Sequence, residues 1–237
     1  MRGFAFAATA LLALAACDRT DPGVVDAGRH DAFWLWAGVR PQPALADAKT
    51  LYILDGEILA ARPDRYVDLR PGVPRLPNTQ LWLVVRTDTL AWPEAALPSL
   101  VARLDRWAAA GNRVEGLQLD FDAATSGLDA YAAFLREVRR ALPARYRLSI
   151  TGLMDWSANG DPEALAALRG TIDEAVIQTY QGRTTIPGYE AWFRRMKDFP
   201  LPFRVGLVQG GEWREPPGLA AEPNFRGYVV FLLNPGG

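Results

Sequence analysis

The chain is poor in the residues that most site chemistries need. Its 237 residues contain one cysteine, Cys17, and one histidine, His30. A single cysteine excludes an internal disulfide, so the fold must be held together by its core. A zinc site built on histidines is excluded for the same reason. A Ser-His-Asp triad has no suitable histidine, and neither a Gly-x-Ser-x-Gly elbow nor a Gly-x-x-x-x-Gly-Lys phosphate loop occurs. No cofactor and no metal are therefore expected. Charge is nearly balanced, with 26 basic and 27 acidic side chains giving a formal net charge of −1, and the two signs are interspersed. Nucleic-acid binders carry a basic patch or stripe that this pattern lacks, so no nucleic-acid partner is expected. Beyond residue 16 no apolar run approaches the roughly 18–20 residues needed to cross a bilayer.

What is present starts at the N-terminus. Met1-Arg2-Gly3 is a short basic start, followed by an apolar run from Phe4 to Ala16 in which Thr9 is the one polar residue. That run is too short to span a membrane and reads as a secretory signal. It ends Leu14-Ala15-Ala16-Cys17, which resembles the bacterial lipobox. The resemblance implies that Cys17 is lipidated and becomes the new N-terminus. It also implies a membrane-anchored protein of the bacterial cell envelope, facing the periplasm. Asp18 to Gly28 is polar and irregular, as a tether would be. The expected organisation is a signal peptide over 1–16, a lipidated cysteine and tether over 17–30, and one domain over 31–237. About 205 residues can bury about 70% of their unfolded surface, enough for a single core. A monomer is expected.

From residue 33 onward, apolar runs alternate with amphipathic ones. Strands are predicted at Phe33–Gly38, Thr50–Leu54, Leu81–Arg86, Val114–Asp122, Tyr146–Gly152, Ala175–Tyr180, Phe203–Val208 and Tyr228–Leu233. Continuous apolar runs of this length suit strands covered on both faces. Helical spacing is clearest over Pro98–Ala110 and Leu128–Leu142, the latter ending in Arg139 and Arg140 as the helix dipole favours. Asp161-Pro162 opens a third helix as cap and first turn, and Gly188–Lys197 forms a fourth. Residues 58–80 and 211–225 read as loops. Eight strands with helices between them point to a (β/α)₈ TIM-like barrel; the alternative is an open doubly wound sheet, weakened by the absence of a glycine-rich fingerprint after the first strand.

In such barrels the chemistry lies at the C-terminal ends of the strands. The fourth strand, Glu115-Gly116-Leu117-Gln118-Leu119-Asp120-Phe121-Asp122, alternates faces. Leu117, Leu119 and Phe121 should pack outward, and Gln118, Asp120 and Asp122 should point inward. Two carboxylates on one face of a partly buried site cannot both ionise cheaply, so one stays protonated, as general-acid cleavage of a glycosidic bond needs. The run resembles the fourth-strand signature Asp-Gly-x-Asp-x-Asp-x-Glu of the family 18, chitinase-like glycoside hydrolases. Gln178-Thr179-Tyr180-Gln181 is similar to that family's Met-x-Tyr-Asp. The chain from Phe33 on also resembles an uncharacterised bacterial family of envelope proteins that form barrels with no assigned activity. The resemblance implies Asp122 as the general acid, Asp120 as the neighbouring carboxylate, and Tyr180 as a hydroxyl that positions the sugar.

The pattern departs from that family at three positions. Asp122 is one methylene shorter than Glu, Gln118 replaces the first inward Asp, and Gln181 replaces the Asp after the tyrosine. A mechanism with two protein carboxylates stays open, with Asp155, Glu212, Asp55 or Glu57 as the second. The expected ligand is a glycan, contacted by Gln118, Gln178, Tyr180, Asp155 and Arg86. Trp36, Trp156 and Trp213 are placed to stack on sugar rings, whose C–H faces suit flat aromatic surfaces. Trp34, Trp82, Trp107 and Trp192 are expected in the core. The first expectation is a glycosidase without a cofactor, the second a saccharide-binding barrel without turnover, and the third an envelope scaffold.

Overall fold

The apolar runs form eight parallel strands. The computed structural model describes residues 23–62, 65–121, 127–154 and 162–234. The strands are β1 (Ala32–Leu35), β2 (Thr50–Ile58), β3 (Gln80–Thr87), β4 (Arg113–Asp120), β5 (Arg147–Leu153), β6 (Glu174–Gln178), β7 (Phe203–Val208) and β8 (Phe225–Phe231). Each pairs in parallel with the next, and β8 pairs with β1 through Val230–Phe33 and Phe231–Trp34. The sheet closes, so the fold is the barrel and not the open sheet. The helical layer is uneven. Full helices follow β3 (α1, Ala96–Ala109) and β4 (α2, Leu128–Ala141). Single-turn helices follow β5 (α3, Pro162–Ala166) and β6 (α4, Tyr189–Phe193). Three-residue-per-turn segments, Pro43–Asp47 and Leu219–Ala221, follow β1 and β7.

Side-chain alternation divides the core in two. Leu117, Leu119, Leu148 and Ile150 point outward and pack with Leu100, Leu104 and Trp107 of α1 and Tyr131, Leu135 and Val138 of α2. Trp34, Tyr52, Trp82, Val84, Val176 and Val229 fill the barrel. Trp34 is its central plug, Gly206 makes room for its ring, and Gly116 lets β4 approach β5 closely. A Cβ on Gly206 would stand 2.6 Å from the Trp34 ring, and one on Gly116 would stand 2.0 Å from the Arg147 carbonyl oxygen. The plug is also hydrogen-bonded. The Trp34 indole N–H donates to Gln118 Oε1 at 2.6 Å, and Gln118 Nε2 donates to Ser149 Oγ at 2.9 Å. Nearby, Glu174 accepts from the Tyr52 hydroxyl at 2.6 Å and from Arg204 Nε at 2.8 Å. Burial and the charge of Glu174 push the Tyr52 hydroxyl well above its usual pKa, which keeps it a donor. Buried polar groups are tolerable only when satisfied in this way.

Three boundaries differ from expectation. β2 runs on to Ile58, because a bulge between Leu54 and Gly56 interrupts the alternation that marks a strand. The helix expected over Gly188–Lys197 is one turn, Tyr189–Phe193. β6 stops at Gln178: Thr179 turns to bond the Gly206 carbonyl through both its N–H and its hydroxyl, and Tyr180–Gln181 forms a hairpin with Thr184–Thr185.

The stretch expected as tether over 17–30 is folded from residue 23. Gly23–Val24 pairs antiparallel with Glu212–Trp213. The Val25 N–H donates to the Gly211 carbonyl at 2.8 Å, and its carbonyl accepts from the Gly210 N–H at 3.0 Å. Asp26 caps the turn Ala27–Arg29, and Val25 and Ala27 are buried. His30 is half-buried and edge-on to Tyr228 at 5.9 Å. Apolar Val25 and Ala27 are the physical reason: each covers core surface that a free tether would leave wet.

Candidate functional site at the barrel mouth

The C-terminal strand ends carry a cluster of half-buried aromatic rings above Trp34. Trp36 follows β1, Phe231 ends β8, and Tyr180 is swung in by the hairpin after β6. Trp36 and Tyr180 meet Trp34 edge-on at 6.5 and 6.4 Å. Phe231 stacks on Tyr180 at 5.4 Å and meets Trp36 edge-on at 5.2 Å. Such pairs hold one another in fixed orientation. Because Trp34 is bonded to Gln118, the platform rests on a fixed floor. Phe231 did not stand out in sequence, although it continues the inward alternation of Val229.

The charged groups lie at the same end of the barrel, on β3 and β4. Asp120, at the end of β4, is half-buried and accepts a hydrogen bond from Thr151 Oγ1 at 3.0 Å. It is the register partner of Arg86 on β3. Arg86, Thr87, Asp88, Asp120 and Phe121 line a cleft of about 150 Å³. The Arg86 side chain is 56% exposed, and its Nη1 lies 3.5 Å from Glu57 Oε1. Behind Phe121, the Tyr131 hydroxyl is buried with no hydrogen-bond partner among the described residues; burial and then the charge of Asp120 raise its pKa well above normal. A guanidinium between Glu57 and Asp120 can bind hydroxyl or carboxylate oxygens of a ligand, and Asp120 can accept from a sugar hydroxyl.

The structure thus brings Trp36, Tyr180, Asp120 and Arg86 to one end of the barrel. Gln178 ends β6 half-buried, in register with Leu153 and Gly206. Gln118, expected as a ligand contact, is fully buried, and its amide is engaged by Trp34 and Ser149. Asp122, Asp155, Trp156 and Cys17 lie outside the described residues. Asp55 is not at the mouth chemistry: it is fully buried and held by Arg103 and Tyr66. Arg103 also binds Asp68 at 2.7 Å, which clips the loop after β2 onto α1. Glu212 pairs with Val24 on the outer flank, and Trp213 lies flat on Tyr189 at 4.5 Å, outside the barrel. A second cleft, of about 540 Å³, runs between Arg183–Glu190 and Gly210–Glu212. Among the described residues, no group of three His, Cys, Asp or Glu side chains is placed to hold a metal ion.

The closed topology is that of a (β/α)₈ barrel, a fold shared with solved chitinases and chitinase-like proteins. Xylanase–α-amylase inhibitor protein XAIP-I, solved with trehalose, is similar at TM-score 0.52 and 11% identity, over 84% of this chain and 92% of that one. The ICChI chitinase from Ipomoea carnea is similar at TM-score 0.50 and 11% identity, over 84% and 94%. The tamarind chitinase-like lectin is similar at TM-score 0.50 and 11% identity, over 85% and 94%. At these identities the likeness is one of fold. Within the barrel, residues 81–188 match the family model described as a domain of unknown function, DUF3142. No curated protein matches in sequence.

Proposed function

We propose that the protein is a glycoside hydrolase-like lipoprotein of the bacterial envelope that takes a glycan at the barrel mouth. The observation that carries the reading is the platform of Trp36, Tyr180 and Phe231 at the same end of the barrel as the cleft that holds Asp120 and Arg86. Sugar rings offer apolar C–H faces to stack and hydroxyls to bond, and the mouth offers both complements. The similar folds include a chitinase, a chitinase-like lectin and an inhibitor solved with trehalose, which supports a saccharide ligand. In this reading Asp122 protonates the leaving oxygen, Asp120 tunes it, and Tyr180 and Gln178 position the sugar. Asp155 and Trp156 extend the contact surface. Cys17 carries the lipid that holds the protein on the periplasmic side; among the described residues, no helix is long and apolar enough to cross a membrane.

A second reading, saccharide binding without turnover, is favoured by Gln118: where the chitinase-like signature has an inward carboxylate, this chain has an amide locked into the barrel floor. One experiment separates the two. The chain from Asp18 onward is incubated with a panel of envelope glycans, and products are read by mass spectrometry beside Asp122→Asn. Product that vanishes in the variant supports hydrolysis. Retention of a glycan with no product from either form selects binding, and neither product nor retention refutes the saccharide site.

A further inference from the structure

We propose that Arg70 is a ligand-binding residue of the barrel mouth, and that the saccharide taken there is acidic, with a carboxylate that meets the Arg70 guanidinium. The proposal rests on the mouth site above and names its substrate class. It follows from how the chain returns after β2. β3 covers one edge of β2 as far as Ile58, but β1 covers the other only to Ile53. Beyond that point Val67 and Asp68 take the open edge, pairing antiparallel with Glu57 and Gly56. Leu69, whose N–H donates to the Asp55 carbonyl at 3.0 Å, packs against the inner cluster, as Trp36, Tyr180 and Phe231 do. Arg70 comes next and stands at the end of β1. Its backbone N–H donates to Asp68 Oδ1 at 2.8 Å, and its carbonyl accepts from Arg103 Nη2 at 3.3 Å. Its Nε donates to the Leu54 carbonyl at 2.9 Å, and its Nη2 to the carbonyls of Leu35 and Trp36, each at 3.3 Å. The guanidinium therefore lies fixed across the C-terminal ends of β1 and β2, against the backbone of the platform residue Trp36.

Two features of this guanidinium point to a ligand. Its Nη1 has no partner among the described residues. Among those residues the sealed-off side-chain nitrogens and oxygens without a partner are Trp107 Nε1 and the Tyr131 hydroxyl, so Nη1 is open to solvent and its N–H groups are available. The second feature is a missing counter-ion. Four described arginines are half-buried: Arg70, Arg103, Arg139 and Arg204. Arg103 binds Asp55 and Asp68, Arg139 lies 3.6 Å from Asp173, and Arg204 binds Glu174 at 2.8 Å. Arg70 alone of the four is held only by neutral carbonyls. Asp55, whose charge acts on it from nearby, spends its oxygens on Arg103 and Tyr66. Burial pulls the Arg70 pKa below the ordinary arginine value, as befits a cation short of compensation. A half-buried charge regains its lost hydration from an opposite charge. A ligand carboxylate on Nη1 supplies one through charge-assisted hydrogen bonds, and the guanidinium is already oriented to receive it.

The test is retention on an array in which each uronic-acid-containing oligosaccharide stands beside the same oligosaccharide with its carboxyl groups reduced to hydroxymethyl. The parent protein is compared with Arg70→Gln and Arg70→Lys, each checked for folding by near-ultraviolet circular dichroism. The parent is expected to hold the acidic member of a retained pair at least about tenfold more tightly than its reduced partner, as one charge-assisted contact provides. Arg70→Gln, which carries no charge, should bring the two members within about twofold of each other. Arg70→Lys keeps the charge but not the planar fork, and should show a severalfold smaller preference than the parent. Equal retention of the two members by the parent, or tighter retention of the reduced one, overturns the proposal without any variant. A preference undiminished in either folded variant overturns the assignment to Arg70. Retention of neither member of any pair by the parent refutes the saccharide site itself, whereas retention of reduced or neutral glycans alone refutes only the acidic ligand, so the two failures are distinct.

Discussion

Replacing Gly206 with alanine tests whether the mouth is built on Trp34. Gly206 faces the barrel interior, and its backbone is ordinary strand, so the substitution brings no dihedral strain. The new methyl would stand 2.6 Å from Cζ3 and 2.9 Å from Cη2 of Trp34. Trp34 is fully buried, packed against Tyr52 at 6.1 Å and pinned by Gln118, so it cannot retreat without breaking that bond. Overpacking of this kind costs about 1–3 kcal/mol. In a domain of this size that lowers Tm by about 2–4 °C per kcal/mol. Tilting Trp34 also disturbs Trp36 and Tyr180, so retention of the glycan should weaken along with stability. Urea denaturation of Gly206→Ala, Trp34→Phe and the double variant gives a thermodynamic cycle. In the Trp34→Phe background the smaller ring leaves room, and the alanine should cost less than about 1 kcal/mol. A neutral Gly206→Ala, or the same cost in both backgrounds, would refute the packing argument.

Arg103→Ala should destabilise by about 3–5 kcal/mol, because it leaves the fully buried Asp55 without its cation, whereas Arg103→Met with Asp55→Leu should recover most of the loss in urea denaturation. His30 is the only histidine, so its proton resonance can be followed alone. Burial lowers its pKa below 6.5 against the opposing charges of Asp31 and Asp26. A base whose folded pKa is depressed contributes stability above its unfolded pKa and loses it as pH falls through the folded value. The strap over 23–30 should therefore loosen under acid; a titration midpoint at or above 6.5 contradicts its burial against Tyr228. Asp122→Asn should abolish any glycan cleavage while leaving the unfolding free energy from urea denaturation within about 0.5 kcal/mol of the parent.

The barrel was readable because its strands are buried on both faces. Runs such as Leu81–Val85 and Val205–Val208 are apolar throughout and too short for a helix. The inward–outward split of β4 was readable as well, since Leu117 and Leu119 do pack on the helices and Gln118 and Asp120 do face in. Alternation says which face a side chain takes but not how deep in the barrel it lies. Gln118 accordingly stood beside Asp120 as a ligand contact, while the structure binds its amide to Trp34 and Ser149. Asp55 was misplaced for another reason: the bulge at Leu54/Gly56 rotates it out of the alternation and toward Arg103, a pairing 48 residues away that no local pattern announces. Tyr180 reaches the platform through a two-residue hairpin, and the strap over 23–30 through pairing with Glu212–Trp213. The contacts of Tyr180 with Trp34 and Phe231, like the pairing of residues 23–24, are distant in sequence and set by closure of the barrel.

The most direct test of the saccharide site is glycan-array retention of the parent protein beside Trp36→Ala and Tyr180→Ala, with Trp192→Ala, a half-buried tryptophan of α4 on the outer layer, as the control. Each stacked aromatic is worth about 0.5–1.5 kcal/mol beyond its buried area. Affinity for the retained glycan should drop at least severalfold in either mouth variant and hold in the control, with all four proteins folded by circular dichroism. Retention that is indifferent to Trp36 and Tyr180 would contradict a glycan site at the barrel mouth.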